Sequence, residues 1–388
     1  MGQVLHNAFS GANSTPILAV PLFILGGVIM AKGGISRKLF NFFAFFAGRI
    51  PGGLPCAVIL TCLFYGAISG SGPATTAAVG AMCVPFLTEL GYDKTWSAGL
   101  VAVAGGLGVI IPPSIPFVLY SLATGVSTGK LFLAGIIPGL LCALCFMAAV
   151  WLMVFLKPGL APRLPKSPLH ERMASLKTGL PIMGIFFLVI GGIYGGVFTA
   201  TEGGGIGAFG TLLLSLCMRR MNRKNFIATL HNSAKFISMC FTVLCGAIVL
   251  SYFMAMTRIP MVLANSIAAL DVAPMLVLFA IVMTFCILGC FLPSMPLLLI
   301  CVPIFVPIAK VFGWDLIWFG VIITVLDNMA SITPPFGISL FVMKEVAGVT
   351  LGTMYRSAVP FVIALFVCLL LIVLFPPLAT YLPTLMNG

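Results

Sequence analysis

The sequence predicts an all-α polytopic membrane protein, built as an inverted repeat with two re-entrant hairpins and two discontinuous helices. Three observations predict it. Of the 388 residues, 61% are hydrophobic and only 7% charged, against roughly 45–50% and 25% in soluble domains, so nearly all of the chain sits in lipid or packs on segments that do. The chain matches itself at an offset of 222 residues at a series of landmarks. Its basic residues gather on one side of the spans that the apolar runs define.

A span needs about 20 apolar residues, and the first such run is 15–31. An amphipathic, basic-flanked stretch follows at 37–50 and predicts a helix lying along the interface. The apolar stretch 54–87 is interrupted by SGSGPATT at 69–76. Each half is then only about 15 residues, short for a span and natural for a re-entrant hairpin with its tip buried in protein. The run 96–126 is long enough to span but broken by GGLGVIIPPS at 105–114, and 131–156 completes this part. Two further spans, 176–198 and 202–218, lead to 235–254, to a second amphipathic stretch at 258–270, and to a second interrupted stretch, 274–308, with LPSMP at 292–296. The run 316–346 is broken by DNMASITPPFG at 327–337, and 354–375 is the last span.

The offset places Pro85 on Pro307, Gly91 on Gly313, Asp93 on Asp315, Trp96 on Trp318, and Pro112 and Pro113 on Pro334 and Pro335. One inserted residue later, Gly125, Val126 and Gly129 fall on Gly348, Val349 and Gly352. Such weak internal symmetry is a transporter signature, and it divides the chain into a first repeat at 1–156, linking spans at 157–225 and a second repeat at 226–388. Five crossings separate the start of 15–31 from the start of 235–254. That number is odd, so the second copy is inverted. Lys32, Arg37, Lys38, Arg49, Lys94, Lys157, Arg163, Lys166, Arg172, Lys177, Arg219, Arg220, Arg223 and Lys224 all fall on one side, and few, such as Lys130, Arg258 and Lys310, on the other. The first side is cytoplasmic by the positive-inside rule. The first hairpin therefore enters from the cytoplasm, the second from outside, and both chain ends lie outside. The N-terminus has no basic, apolar and cleavage-site pattern of a removable signal peptide.

Non-helical backbone at membrane depth is tolerated only where protein, water or a ligand satisfies it. The two tips and two breaks are four such places. Proline pairs remove donors and free carbonyls, and glycines permit close approach. Carbonyls and hydroxyls suit a hard cation, while half-helix N-termini suit an anion, so together they describe a cation-coupled carboxylate site. A lone glycine-rich stretch is more often close helix packing, but four interruptions paired by an inverted repeat argue for a site. For Ser69 or Ser71 alone, ligand and turn-stabilising roles are balanced. Asp327 lies inside the last broken span, where a carboxylate is an ion or proton site by default and otherwise a structural partner of a donor. Glu202 opens a span beside Thr201 and reads as a helix cap. Lys344 and Glu345 read as interfacial.

Several classes are excluded. The net charge of +12 is used by topology, which leaves no nucleic-acid role. Twelve cysteines lie mostly inside apolar runs, and Cys142 with Cys145 sits mid-helix away from any histidine, so they read as packing thiols. Only three histidines occur, and none is near another in sequence. No nucleophile–base pair or metal cluster is found, so the reading is not an enzyme, with no cofactor. A channel would carry hairpins too, but broken helices paired by inversion fit alternating access better.

At these residues the sequence resembles the large membrane subunit of the TRAP transporters, the tripartite ATP-independent periplasmic uptake systems of the broad ion-transporter superfamily. The stretches that carry it are STPILAVPLFILGGVIMAKGGIS, GAISGSGPATTAAVGAMCVPF, IIPPSIPFVLY, LFLAGIIPG, IYGGVFTATEGGGIGAF, VPIFVPIAKVFG and FGVIITVLDNMASITPPFGISLFV. They cover most of the chain in the family's order. The resemblance implies an elevator-type transporter in a bacterial inner membrane, with a small four-helix membrane subunit and a periplasmic substrate-binding protein as partners. It implies import, with Na+ as coupling ion, of an organic acid anion of the C4-dicarboxylate, sialic acid or sugar acid class. Three departures stand out. The family usually has a further hydrophobic helix ahead of the 15–31 span; Pro293 and Ser294 stand where an acidic residue is frequent, and Asp327 with Asn328 departs from the usual second break; and Ala200 stands where proline is expected.

Carried over by motif, one cation site takes Ser69, Gly70, Ser71 and Gly72 of the first tip with the break at Gly108 and Pro112. The second takes the tip from Leu292 to Ser294 with Asp327, Asn328, Ser331, Thr333 and Pro334. Substrate is expected between the tips, near Pro73, Ser114 and Gly337. Cation binding would order both tips and let the hairpin-bearing core slide past a scaffold. The alternative is a self-sufficient Na+/dicarboxylate carrier of the same superfamily, which needs no partner.

Overall fold

Inside lipid a chain must satisfy its backbone N–H and C=O groups internally, and helices joined by short turns do so here. The computed structural model describes residues 15–47, 52–162, 169–270, 272–335 and 337–385, and no strand occurs among them. Arg49, Arg163 and Lys166 of the basic set, and Phe336 of the second break, lie outside the described residues.

After a 3-10 turn at Thr15–Leu18, the first repeat runs through α1 (Ala19–Lys32), α2 (Ile35–Ala47), α3 (Gly53–Ser69), α4 (Gly72–Glu89), α5 (Lys94–Ala104), α6 (Leu107–Ile110), α7 (Ile115–Thr124) and α8 (Thr128–Leu156). Two linking helices follow, α9 (Leu169–Tyr194) and α10 (Ala200–Cys217). The element order then recurs as α11 (Arg223–Thr257), α12 (Ile259–Ala269), α13 (Pro274–Gly289), α14 (Ser294–Val311), α15 (Leu316–Ala330), α16 (Ile338–Ala347) and α17 (Leu351–Leu374), with α18 (Pro377–Leu385) added. The peptide bonds Pro112–Pro113 and Pro334–Pro335 are both cis.

Local chemistry repeats with the order. Asp93 caps α5 by accepting from the Trp96 N–H at 2.7 Å, and Asp315 caps α15 by accepting from Ile317 and Trp318 at 2.6 and 3.1 Å. Ahead of each cap, Gly91 and Gly313 turn the chain at φ 87° and 68°, a conformation that costs glycine nothing. Glu202 is a cap as expected, but its partner is Thr199: the two residues form a reciprocal capping box that opens α10.

Packing interlocks the two repeats. The second arm of each hairpin lies on the far half of the other repeat's broken helix, α4 on α16 and α14 on α7. In the same exchanged sense, α5 packs on α17 and α15 on α8. Helices α1, α9, α10 and α11 form a separate layer against this core. The glycines of α10 serve close packing there: a Cβ on Gly204 would sit 3.2 Å from the Leu22 Cβ of α1.

Three features differ from the sequence expectations. Among the described residues, five helices suffice by length and composition to cross a membrane, or six with the bent pair Lys94–Ile110 and Ile115–Thr124, against eight runs read along the sequence; the breaks cut the runs 96–126 and 316–346 into pieces. The hairpin arms are 16 to 18 residues long rather than about 15, and α14 alone is long enough to cross. Re-entrance therefore rests on where the tips stop. A short helix, α18, packs on α8 beyond the last span read along the sequence. The cysteines are free and most are buried.

Candidate functional site

The first tip ends α3 at Ser69 and turns at Gly70, whose left-handed φ of 63° lets its N–H donate to the Gly66 carbonyl at 2.7 Å. Ser71 is extended and begins α4, with Pro73 in its first turn, where a missing N–H costs nothing. One turn on, the Thr75 hydroxyl donates to the Ser71 carbonyl at 2.8 Å and shares a 3.0 Å hydrogen bond with the Ser69 hydroxyl. The tip is thus a closed ring of hydroxyls and carbonyls, with Ser69, Thr75 and Thr76 buried.

This tip stops at the first break. The Ile115 N–H donates to the Gly70 carbonyl at 3.3 Å. A Cβ on Gly72 would lie 3.0 Å from Val109 Cγ2 and 3.4 Å from Gly106 Cα, and one on Gly66 would lie 2.2 Å from Gly108 Cα. Only glycine permits such backbone contact. The break lies midway along 94–124, so a tip bonded to it reaches half the depth of that span. Ser114 is fully buried, and its hydroxyl donates to the Val109 carbonyl.

The second tip meets the second break through side chains. The Ser294 hydroxyl, at the start of α14, donates to Asp327 Oδ2 at 2.5 Å. Asp327 is 1% exposed, and its Oδ1 has no hydrogen-bond partner. Leu292 and Pro293 form the turn itself, the Leu292 N–H donating to the Leu288 carbonyl at 3.0 Å. Within the break, Ser331 and Thr333 turn their hydroxyls back onto the Asn328 and Met329 carbonyls at 2.8 and 2.6 Å. Pro334 is exposed, and Gly337 restarts the chain at φ 36° with its N–H on the Thr333 carbonyl.

Asn328 joins the two halves. A Cβ on Gly106 of the first break would lie 1.7 Å from Asn328 Oδ1, so the amide is pressed against the first break's backbone. Both amide heteroatoms are buried without hydrogen-bond partners. Buried polar groups are normally satisfied, and three atoms on two adjacent residues, Asp327 Oδ1 with Asn328 Oδ1 and Nδ2, have no protein partner and so are open to a water or a ligand. A carboxylate oxygen and an amide oxygen are hard donors of the kind that hold alkali and alkaline-earth cations.

Of the residues carried over by motif, the structure brings Gly70 and Gly72 to the first break and Ser294 to Asp327, while the Ser69 hydroxyl bonds within its own tip. Asn328, grouped by motif with the second tip, instead touches the first break. No hydrogen bond joins Pro73, Ser114 and Gly337 to one another among the described residues. Thr75, Thr76, Gly66 and Gly106 belong to the site without having been singled out along the chain. The signal for Thr75 was its position four residues after Ser71, which in a helix returns it to the tip.

Comparison with known proteins supplies the context. Residues 2–378 match the family described as "Tripartite ATP-independent periplasmic transporter, DctM component". The chain is 35% identical over 376 residues to the C4-dicarboxylate TRAP transporter large permease protein DctM of Pseudomonas aeruginosa, covering 97% of this chain and 88% of that one. It is 31% identical over 379 residues to the sialic acid TRAP transporter large permease protein SiaM of Vibrio cholerae, with the same coverage. It is 36% identical over 376 residues to the isethionate TRAP transporter permease protein DctMQ of Oleidesulfovibrio alaskensis, covering 96% of this chain and 59% of that one. Among solved structures, the Alcanivorax borkumensis YdaH transporter shares the fold, with a TM-score of 0.66 at 13% identity over 99% of this chain and 87% of that one.

Proposed function

Since the chain belongs to the tripartite ATP-independent periplasmic transporter family, as its DctM component, a transport protein and not an enzyme, we propose that it imports an organic acid anion by symport with Na+. Its substrate would be delivered by a periplasmic binding protein, and it would work beside a small four-helix membrane subunit in a bacterial inner membrane. The anion classes follow the printed names of its relatives: C4-dicarboxylates, sialic acid, sulfonates such as isethionate, and sugar acids such as diketogulonate.

One observation carries the coupling: the tip of the second hairpin is tied to Asp327, whose other oxygen and whose neighbour Asn328 are left without partners. A Na+ at Asp327 Oδ1 would satisfy that orphan and neutralise the buried carboxylate, and Asn328 Oδ1, turned toward the first break, offers a hard oxygen to a cation there. Asn328 lies against Gly106, so cations at these two adjacent residues would hold the second tip through Asp327 and the first break through Asn328. A cation that orders both halves of a site favours the anion that binds between them. The first tip, with Ser69, Ser71 and Thr75, would hold a second ion by hydroxyl and carbonyl oxygens. The core of hairpins and broken helices would then move as a unit past the layer of α1, α9, α10 and α11.

The test is uptake of radiolabelled acids into proteoliposomes carrying this chain and its membrane partner, with and without an inward Na+ gradient and a cognate binding protein. Uptake needing both supports the symporter. Uptake needing Na+ alone would replace it with the self-sufficient carrier, and indifference to Na+ would remove the ion from Asp327.

A further inference from the structure

Two cavities sit at repeat-related places in the molecule. The inner one, about 470 Å3, lies between α2 and α4 and is lined by Arg37, Pro85 and Glu89 among others. The outer one, about 720 Å3, lies where α7, α11, α12 and α14 meet and is lined by Arg258, Pro307 and Lys310. Pro85 and Pro307 correspond through the 222-residue offset, so the cavities are counterparts. Their charges are not. Arg37 and Glu89 carry one charge of each sign, whereas Arg258 and Lys310 carry two positive charges, and no acidic side chain lines the outer cavity.

Topology sharpens the contrast. Among the described residues, the basic side chains at outer helix ends are Lys130, Arg258 and Lys310. Two of these three share one cavity on the side where basic residues are disfavoured. Each sits at a helix C-terminus, Arg258 capping α11 and Lys310 in the last turn of α14, where the dipole favours a cation, and the meeting of these two helix ends brings both charges to one opening. Apart from Ser251, the remaining walls are apolar, including Leu122, Leu244, Ile248 and Leu299. One wall belongs to the layer, through α11 with α12 beside it, and the other to the core, through α7 and α14. Helix α11 itself turns Met239, Phe253 and Met256 outward.

We propose that the outer cavity holds an anionic phospholipid, its headgroup between Arg258 and Lys310 and an acyl chain along the apolar wall, wedged between the layer and the core. A small carboxylate would match the charges but leave the apolar body unfilled, and a zwitterionic lipid would fill the body without meeting the charge.

The experiment uses the full chain in nanodiscs of mixed phosphatidylglycerol and phosphatidylethanolamine, extracted and read by native mass spectrometry for retained lipid. Wild-type protein is expected to keep phosphatidylglycerol in preference. At about 5-fold per basic residue, Arg258→Gln and Lys310→Gln each lower the retention, and the double variant lowers it roughly 30-fold. Lys130→Gln, outside the cavity, leaves it unchanged. Ala247→Trp fills the apolar body while keeping both charges, and gives a loss of its own that does not depend on the charge variants folding. Undiminished phosphatidylglycerol in the double variant or in Ala247→Trp would overturn the proposal. So would equal loss in Lys130→Gln, or displacement by inorganic phosphate alone, which would make the occupant a soluble anion.

Discussion

Replacing Gly66 by alanine tests the contact on which the first hairpin's position depends. The new Cβ would lie 2.2 Å from Gly108 Cα and 2.7 Å from Gly108 N, where carbon atoms prefer about 3.5–4.0 Å. Both obstacles are backbone, so relief requires moving the hairpin or the break, at the upper end of the ~1–3 kcal/mol typical of overpacking. Alanine in a helix returns about 1 kcal/mol over glycine, leaving a net loss of about 2 kcal/mol. Gly80→Ala is the control. Its Cβ would lie 2.2 Å from Met343 Cε, the free end of a flexible side chain that can turn away, so gain and cost nearly cancel. With an unfolding entropy of about 2.1 cal/mol/K per residue, Gly66→Ala lowers the midpoint by roughly 2–3 °C and Gly80→Ala moves it by less than about 1 °C. A thiol-reactive dye reads this directly, because Cys62 and Cys83 are buried in the two arms and react on unfolding. Gly66→Ala also loses uptake, since the tip can no longer seat at the break. A variant that melts at or above the wild-type midpoint, or level with Gly80→Ala, would refute the backbone contact.

Asp327→Asn removes the charge at the orphaned oxygen and is expected to raise the half-saturating Na+ concentration for uptake at least about 10-fold, one charge-assisted contact being worth about 1.5–3 kcal/mol; an unchanged Na+ dependence would sink the assignment. Ser294→Ala takes the donor from Asp327 Oδ2, costing about 1–3 kcal/mol, and should lower the thermal midpoint unless that hydrogen bond is absent in solution. Asp93→Ala and Asp315→Ala remove repeat-related caps and each should cost about 1 kcal/mol; a large effect at one and none at the other, measured by the same melts, would break the equivalence. Tyr65→Phe deletes the 2.9 Å hydrogen bond to the Gly27 carbonyl that ties α3 to α1 and should cost about 1 kcal/mol, read as a lower midpoint with uptake retained.

Much of the site was legible as backbone irregularity. The interruptions at 69–76, 105–114, 292–296 and 327–337 mark where helices end, because glycine and proline act on their own neighbours. The partners were less legible. Asp327 and Asn328 are adjacent in sequence, yet one turns to the second tip and the other to the first break, since successive residues of a helix project about 100° apart. Glu202 was recognisable as a cap, but Thr199 rather than Thr201 answers it, because the capping box needs a spacing of three. The hairpins were recognised by the supposed shortness of their arms. The arms are longer than that, and the tips stop at mid-span because Gly70 and Ser294 are bound there.

The sequence alone determined that this is a membrane protein, the order of its main helices and the four places where they break. Lipid imposes those constraints residue by residue, through the cost of exposed charge and unpaired backbone, so they are written in composition and local pattern. Only the tertiary structure decided that Gly66 meets Gly108, that Gly106 meets Asn328, that α4 lies on α16 and α14 on α7, and that Arg258 and Lys310 share a cavity. These are approaches between segments distant along the chain, set by shape and packing, for which no local pattern exists.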